Sequence, residues 1–499
     1  MKKKLSIQEY ASVAIMLFGM FFGAGNLIFP VHLGQLAGSA MWPAFLGLLI
    51  TAVGLPLLGV AALGISRSGG LYELGSQIGK PYSLFFTCVL YLTIGPFFAI
   101  PRCATTSFTV GLEQVLPAGN TRLFLLLFTL AFFAAALLFS LWPGKILTWV
   151  GRVLTPCFLV FLGILVVVAL LHPAAAVADI APSGGYESQP FFTGFLEGYN
   201  TMDALASLAF GIVVVQVIRG LGVEDADAVA VTTVKSGVFS CLLMGVIYLA
   251  VTLVGVQSRG LFETSANGGV ALAQIAQHYL GGAGLLILAT TVTLACLKTA
   301  VGLITSCSET FSGLFPKGPS YRAWAVIFTL VSLLFSNLGL SAIISYSVPV
   351  LMFLYPLSIT LILLSLTGRL FGHDRAVYVS VTTFTLVGAV YDLLRTLPDG
   401  LRAACRLDGF LAVVKETLPL AELGLGWVCP ALLGLVIGLG IHFLRRQAGW
   451  KVNSLPSETA GAPGAPASLF PAAGAPLPLS PGKSAEKGGK TVIFSLPAP

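Results

Sequence analysis

The chain predicts an all-α integral membrane protein of about 12 transmembrane helices, arranged as a five-plus-five inverted repeat followed by two C-terminal helices. Three observations lead there. Of 499 residues 56% are hydrophobic and only 9% charged, against about 25% charged in an average soluble domain. The apolar residues fall into a dozen runs, most of them long enough for the ~20 residues that cross about 30 Å of hydrocarbon. Two of the runs, at corresponding places in two blocks of similar length, are interrupted by glycine and polar residues.

Taken in order, the first run covers 10–31 and follows Lys2, Lys3 and Lys4. It reaches Pro30 with no small-residue cleavage site, which reads as a first span rather than a leader. Runs at 41–65, 82–112, 122–142, 150–171 and 191–218 follow, then 229–256, 281–313, 322–338, 341–367, 376–394 and 423–444. Unpaired backbone groups cannot face lipid, and these runs exceed the length of barrel strands, so each is expected to be a helix. The expected organisation is a first repeat at 1–171, a second at 172–367, two further helices at 368–448, and a Pro/Ala/Gly/Ser-rich tail at 449–499. That tail is too poor in large apolar residues to bury a core, and it reads as a disordered cytoplasmic linker.

Lys and Arg concentrate on one side of this topology. That side collects Lys80, Lys145, Arg152, Arg219, Lys235, Arg369 and Arg375 together with both ends of the chain, whereas the other holds Arg122 and Arg259. The other side also holds a long loop in which Arg395, Arg402, Arg406 and Lys415 are offset by Asp392, Asp399, Asp408 and Glu416. The positive-inside rule then puts both termini in the cytoplasm, as an even number of spans requires. The net charge of +7 forms no basic stripe, so membrane lipid rather than nucleic acid is the expected surroundings. The number of copies in the assembly stays open. No two cysteines stand at CxxC spacing, and the five histidines at 32, 172, 278, 373 and 442 show no HExxH pattern, so no metal-enzyme ligand set is visible.

Within the first run, Gly23-Ala24-Gly25-Asn26 places two glycines, each costing roughly 1 kcal/mol relative to Ala in a helix, beside a polar amide. It has two readings, an unwound break or tight packing through small residues. In the sixth run Gly198-Tyr199-Asn200-Thr201-Met202-Asp203 repeats the interruption, with an acid that costs about 3 kcal/mol at the bilayer centre if left facing lipid. Five helices is an odd number, so the second block enters the membrane inverted. Paired broken spans in inverted halves point to a transport site. Freed N–H groups at one half-helix attract an anion and freed carbonyls at the other a cation, which suits a zwitterionic amino acid.

Arg102, within GPFFAIPRCATTSF, reads as a functional or gating residue or as a snorkelling one. Lys298, mid-span beside Thr299, reads as a cation surrogate or proton carrier, or as a structural partner of an acid such as Asp203. Glu113 and Glu309, near span ends, read as structural.

The segments FFGAGNLIFP, IGPFFAIPRCATTSF, LWPGK, GYNTMDALASLAFGIVVV, SANGG, ACLKTAVGL and SNLGLSAIISYSVPVLMFLYP together resemble the bacterial branched-chain amino acid transporter family (the LIVCS family, BrnQ type) of the amino acid-polyamine-organocation superfamily. The resemblance covers about residues 5–445. It implies a LeuT-type fold in a bacterial inner membrane and uptake of leucine, isoleucine and valine with sodium, no cofactor being required beyond the coupling ion. It further implies that backbone at Gly23, Ala24, Gly25 and Asn26 meets the substrate carboxylate, and that carbonyls around Tyr199 and Thr201, in the break formed with Asn200 and Asp203, receive the ammonium. Asn26 and Thr201 would offer oxygens to one sodium. A second would sit between Gly19, Phe22 and the hydroxyl of Thr299. Lys298 departs from the neutral residue usual beside that site, which keeps proton coupling open. Channel and membrane-enzyme readings rank below a symporter, the latter for want of clustered His, Asp or Cys.

Overall fold

The computed structural model describes residues 5–23, 25–66, 68–113, 116, 120–141, 159–223 and 225–448. Ala24, the greater part of LWPGK, the first half of the predicted fifth span and the tail at 449–499 lie outside the described residues. Within them every regular element is helical.

All twelve predicted spans meet helix. The first is split into α1 (Ile7–Phe21) and α2 (Gly25–Ala37); α3 (Met41–Leu49) and α4 (Leu55–Ile65) form the second, joined by a π-helical turn at Ile50–Gly54. The third is α5 (Lys80–Leu92) and α6 (Ala99–Gly111), divided where Gly95 and Pro96 interrupt the ladder. Then come α7 (Thr121–Leu141) and α8 (Leu159–Leu171), and the split sixth span, α9 (Pro190–Glu197) and α10 (Asp203–Gly220). The rest are α11 (Ala226–Ser258), α12 (Gly268–Leu314), α13 (Tyr321–Ser336), α14 (Leu340–Thr367), α15 (Arg375–Arg395) and α16 (Val428–Gln447). Nine stretches among the described residues are long and apolar enough to cross a membrane, and three shorter apolar helices bring the number to that of the predicted spans.

Two differences from the sequence reading have local causes. α12 begins at Gly268, well before the predicted 281, because Asn267 caps it by accepting the N–H groups of Gly269 and Val270. Gly281, at φ 63°, then bends it, a backbone geometry that strains any residue with a Cβ. The predicted loop charge Asp392 instead occupies the last turn of α15, fully buried.

Helices close on one another through reciprocal glycines. A Cβ at Gly34 of α2 would collide with the Thr252 carbonyl of α11, and one at Gly255 of α11 with the Val31 carbonyl of α2. Gly47 of α3 and Gly194 of α9 do the same against Phe191 and Ala44. Such small-residue contacts let backbones approach without a hydrophobic driving force between helices, and they bring the two broken spans beside common neighbours. Large apolar side chains at Ile50, Leu130, Leu242, Leu286, Leu334 and Val436 point outward, as a lipid-facing surface requires.

Candidate functional site at two helix breaks

The first break is three residues long. α1 ends where Phe22 turns extended (φ −77°, ψ 101°), its N–H still bonded to the Phe18 carbonyl, and α2 starts at Gly25. The Asn26 side chain holds the gap: its Oδ1 accepts the Gly23 N–H at 2.8 Å, satisfying a donor that unwinding had freed. The packing alternative for Gly23–Asn26 is thereby set aside.

The second break is a 3-10 turn, Gly198–Thr201, ended by Met202 in the left-handed region (φ 63°, ψ 10°). A non-glycine side chain there is strained, and Met202 is held by burial in the core. Thr201 donates its hydroxyl to the Gly198 carbonyl at 2.9 Å and accepts the Asp203 N–H at 3.5 Å. α10 then opens on Asp203, an acid at the positive end of the half-helix dipole.

The two breaks touch. Asn26 Nδ2 donates to Asp203 Oδ2 at 2.6 Å across 177 residues of sequence, and to the hydroxyl of Tyr248 on α11. All three residues are buried. Arg102 of α6 reaches the same place. Its Nη1 donates to the Asn200 carbonyl at 2.5 Å and its Nη2 to the Thr201 carbonyl at 3.4 Å, while the guanidinium lies 5.2 Å from the centre of the Phe29 ring on α2. A Cβ at Gly25 would stand 3.1 Å from Nη2, so the start of α2 is open to this charge because it carries no side chain. Arg102 is therefore bound to the second break and does not snorkel. It uses carbonyls that the resemblance had left for an ammonium, so the hub brings a guanidinium and a carboxyl side chain to the breaks, where the sequence reading relied on freed backbone groups.

Tyr199 stacks on Tyr355 of α14 with centroids 4.0 Å apart and planes 13° from parallel, and its carbonyl accepts the Met202 N–H. Asn200 Nδ2 donates to Glu197 Oε2 at 3.1 Å. Thus Asn26, Tyr199, Asn200, Thr201 and Asp203 share one buried hub with Arg102, together with Gly23 and Gly25.

Lys298 stands apart. It is half-buried on α12 and makes no hydrogen bond or ion pair among the described residues, so its pairing with Asp203 is not found; Asp203 is held by Asn26. Thr299 donates to its own helix, to the Ala295 carbonyl at 3.1 Å. Gly19 lies near the end of α1, with Phe22 just beyond it. Among the described residues no three His, Cys, Asp or Glu side chains group as a metal site would need. Sequence reasoning missed Tyr248, Tyr355 and Phe29. All three are aromatic residues in apolar runs, where nothing local distinguishes a site wall from core.

The sequence profile described as "Branched-chain amino acid transport protein" matches residues 6–445. Curated relatives include a branched-chain amino acid permease of Lactobacillus delbrueckii subsp. lactis, 51% identical over 86% of this chain and 96% of the relative. One from Bacillus subtilis is 40% identical over 90% of this chain and 100% of the relative. A branched-chain amino acid transport system 2 carrier protein of Pseudomonas aeruginosa is 42% identical over 86% and 95%. Among solved structures, the inward-facing conformation of Mhp1 aligns with a TM-score of 0.58 at 16% identity, covering 88% of this chain and 91% of that one. MhsT in complex with L-phenylalanine aligns at 0.50 with 16% identity, covering 89% and 99%. At these identities the structural likeness speaks for the fold alone, which is the LeuT-type arrangement expected from the two broken spans.

Proposed function

The chain belongs to the branched-chain amino acid transport family, and from that premise we propose that it imports leucine, isoleucine and valine by sodium symport, alternating access around the joined breaks. It is a membrane transporter rather than an enzyme, as its relatives are named permeases and carriers. The observation that carries the reading is the Asn26–Asp203 hydrogen bond, which closes two unwound backbones on each other. The start of α2 at Gly25 offers backbone N–H groups to a carboxylate, and Asp203 offers a negative charge to an ammonium. Substrate arriving between them would exchange with the Asn26 and Arg102 contacts, so that occupancy alters how the two breaks hold together. A hydrophobic pocket separates side chains differing by one methylene by only about 1–3 kcal/mol, which agrees with overlapping use of the three substrates.

In this reading both termini are cytoplasmic and the membrane is the bacterial inner membrane. One sodium would use the side-chain oxygens of Asn26 and Thr201, and a second the carbonyls near Gly19 and Phe22 with the Thr299 hydroxyl. A second reading, proton coupling, is favoured by Lys298, an amine within the span next to Thr299 that has no hydrogen bond or ion pair among the described residues. Leucine uptake into proteoliposomes, with sodium and proton gradients imposed one at a time, separates them. A sodium gradient alone should drive accumulation; uptake indifferent to both gradients excludes a cation symporter.

A further inference from the structure

The loop between α15 and α16 holds a ten-residue helix, Asp408–Thr417, for which the transport reading has no use. Its sequence, DGFLAVVKET, divides into three sectors. Leu411 and Val414, continued by Leu407 and Leu418 just beyond its ends, form an inward stripe that packs in one cluster with Tyr391 and Leu394 of α15. At about 100° per residue, Phe410 and Val413 lie roughly 100° and 160° from Leu411 to one side, and Lys415, Asp408 and Glu416 roughly 40°, 60° and 140° to the other. Phe410 is 55% exposed and Val413 64%, and at a spacing of three residues they form one apolar face. The charged sector is engaged with the rest of the loop. Arg402 Nε stands 2.8 Å from Asp408 Oδ1, and Lys415 Nζ 2.9 Å from Glu422 Oε1.

Position says what covers the apolar face. The loop joins two helices that are each long and apolar enough to cross a membrane, so it lies at a membrane surface. Its inward stripe rests on Tyr391, one turn after Val387 and next to Val390, both of which point outward as the lipid-facing side chains do; Leu432 and Leu433 point outward in the first turns of α16. Four residues of helix rise about 6 Å, and a helix lying in the bilayer surface sinks its apolar side about 5–10 Å into the boundary of headgroups and acyl chains. The bare pair therefore stands at the level where lipid begins. A helix made for water would carry polar residues over both of its uncovered sectors. Two side chains also offer far less than the roughly 800 Å² per partner that a stable contact between copies buries.

We infer that Asp408–Thr417 is an interfacial helix that binds phospholipid, lying in the plane of the membrane surface in the leaflet opposite the end of α16. Phe410 and Val413 enter the acyl chains, and the sector of Asp408, Lys415 and Glu416 faces water. The ion pairs to Arg402 and Glu422 keep that sector turned away from the lipid, while the inward stripe ties the helix to the last turns of α15. This role does not depend on what the protein carries.

Tryptophan fluorescence of the full-length protein in phosphatidylcholine liposomes tests it. F410W adds one tryptophan to the native six, and the emission it adds over the wild type should be lost when the lipid acyl chains are brominated and kept when iodide is added to the water. Ala412 is exposed in the charged sector, so A412W should give the reverse, loss to iodide and none to brominated chains. Emission from F410W that iodide removes and brominated lipid spares puts this face in water and overturns the inference. Emission shielded from both means that protein covers the face and overturns it equally, a dimer on size exclusion then marking a second copy as the cover. A412W quenched by brominated lipid as strongly as F410W overturns the assigned orientation. If F410W does not purify intact, V413W decides by the same readings.

Discussion

Replacing Asn26 with alanine tests the joint between the breaks. The amide makes three contacts: it accepts the Gly23 N–H at 2.8 Å, donates to Asp203 Oδ2 at 2.6 Å and donates to the Tyr248 hydroxyl. Each group left buried and unpaired costs about 1–3 kcal/mol. Water entering the space of the lost amide would offset part of the total, leaving an expected penalty on the order of 3 kcal/mol for the joint. If the joined form is the one that binds leucine, that penalty corresponds to roughly a hundredfold weaker binding. The assay is equilibrium binding of labelled leucine to purified protein, with detergent size-exclusion profiles confirming an intact fold. Asp203→Asn is the companion variant, since it removes the charge while keeping the shape. Wild-type affinity in Asn26→Ala would refute the reasoning, because a joint that can be cut without consequence is not the site.

Arg102→Lys should lower leucine uptake at least about tenfold, as a single ammonium cannot reach both the Asn200 and Thr201 carbonyls while covering Phe29; an unchanged initial rate contradicts this. Gly194→Val should sharply reduce the yield of folded protein, since the new Cβ would overlap the Ala44 carbonyl, and normal yield and thermal stability would show that α3 and α9 do not need this approach. Asp374→Ala should lower thermal stability by about 1–3 kcal/mol, because Asp374 caps α15 through the Ala376 N–H at 2.9 Å and lies 3.0 Å from His442 Nδ1. Its leucine affinity should stay at the wild-type value, and a loss of affinity without loss of stability counts against a structural role. Lys298→Met should change the ion dependence of uptake if the amine stands in for a cation, and an identical response to sodium and proton gradients would remove it from the coupling machinery.

Much of the fold was legible because the bilayer imposes one rule, an apolar run per crossing, and because Asn26 and Asp203, each in a polar stretch that also holds glycine, mark the two interrupted runs. The contacts that make the site were not legible. Asn26 and Asp203 could each be singled out, but their hydrogen bond spans 177 residues, and local sequence carries no record of it. Arg102 kept two readings until the carbonyls of Asn200 and Thr201 gave it partners. For Asp203 the sequence offered Lys298, by charge complementarity, whereas the structure chose an amide. Asp392 was misplaced because Arg395 and Asp399 follow it closely and make the end of α15 look like loop, while the residues packed against it and its helix, Gly426 and Trp427, come from the turn before α16. The limb 268–280 was missed for a similar reason: its helical start rests on the Asn267 cap and its end on a bend at Gly281, neither of which shows as hydrophobicity.

A cryo-electron microscopy map of the protein saturated with leucine puts the central claim to its most direct test. The account predicts density for the amino acid between the start of α2 at Gly25 and the turn at Gly198–Thr201, with both spans still interrupted. Continuous helix through residues 21–26 or 197–203, or leucine bound away from both, would contradict it.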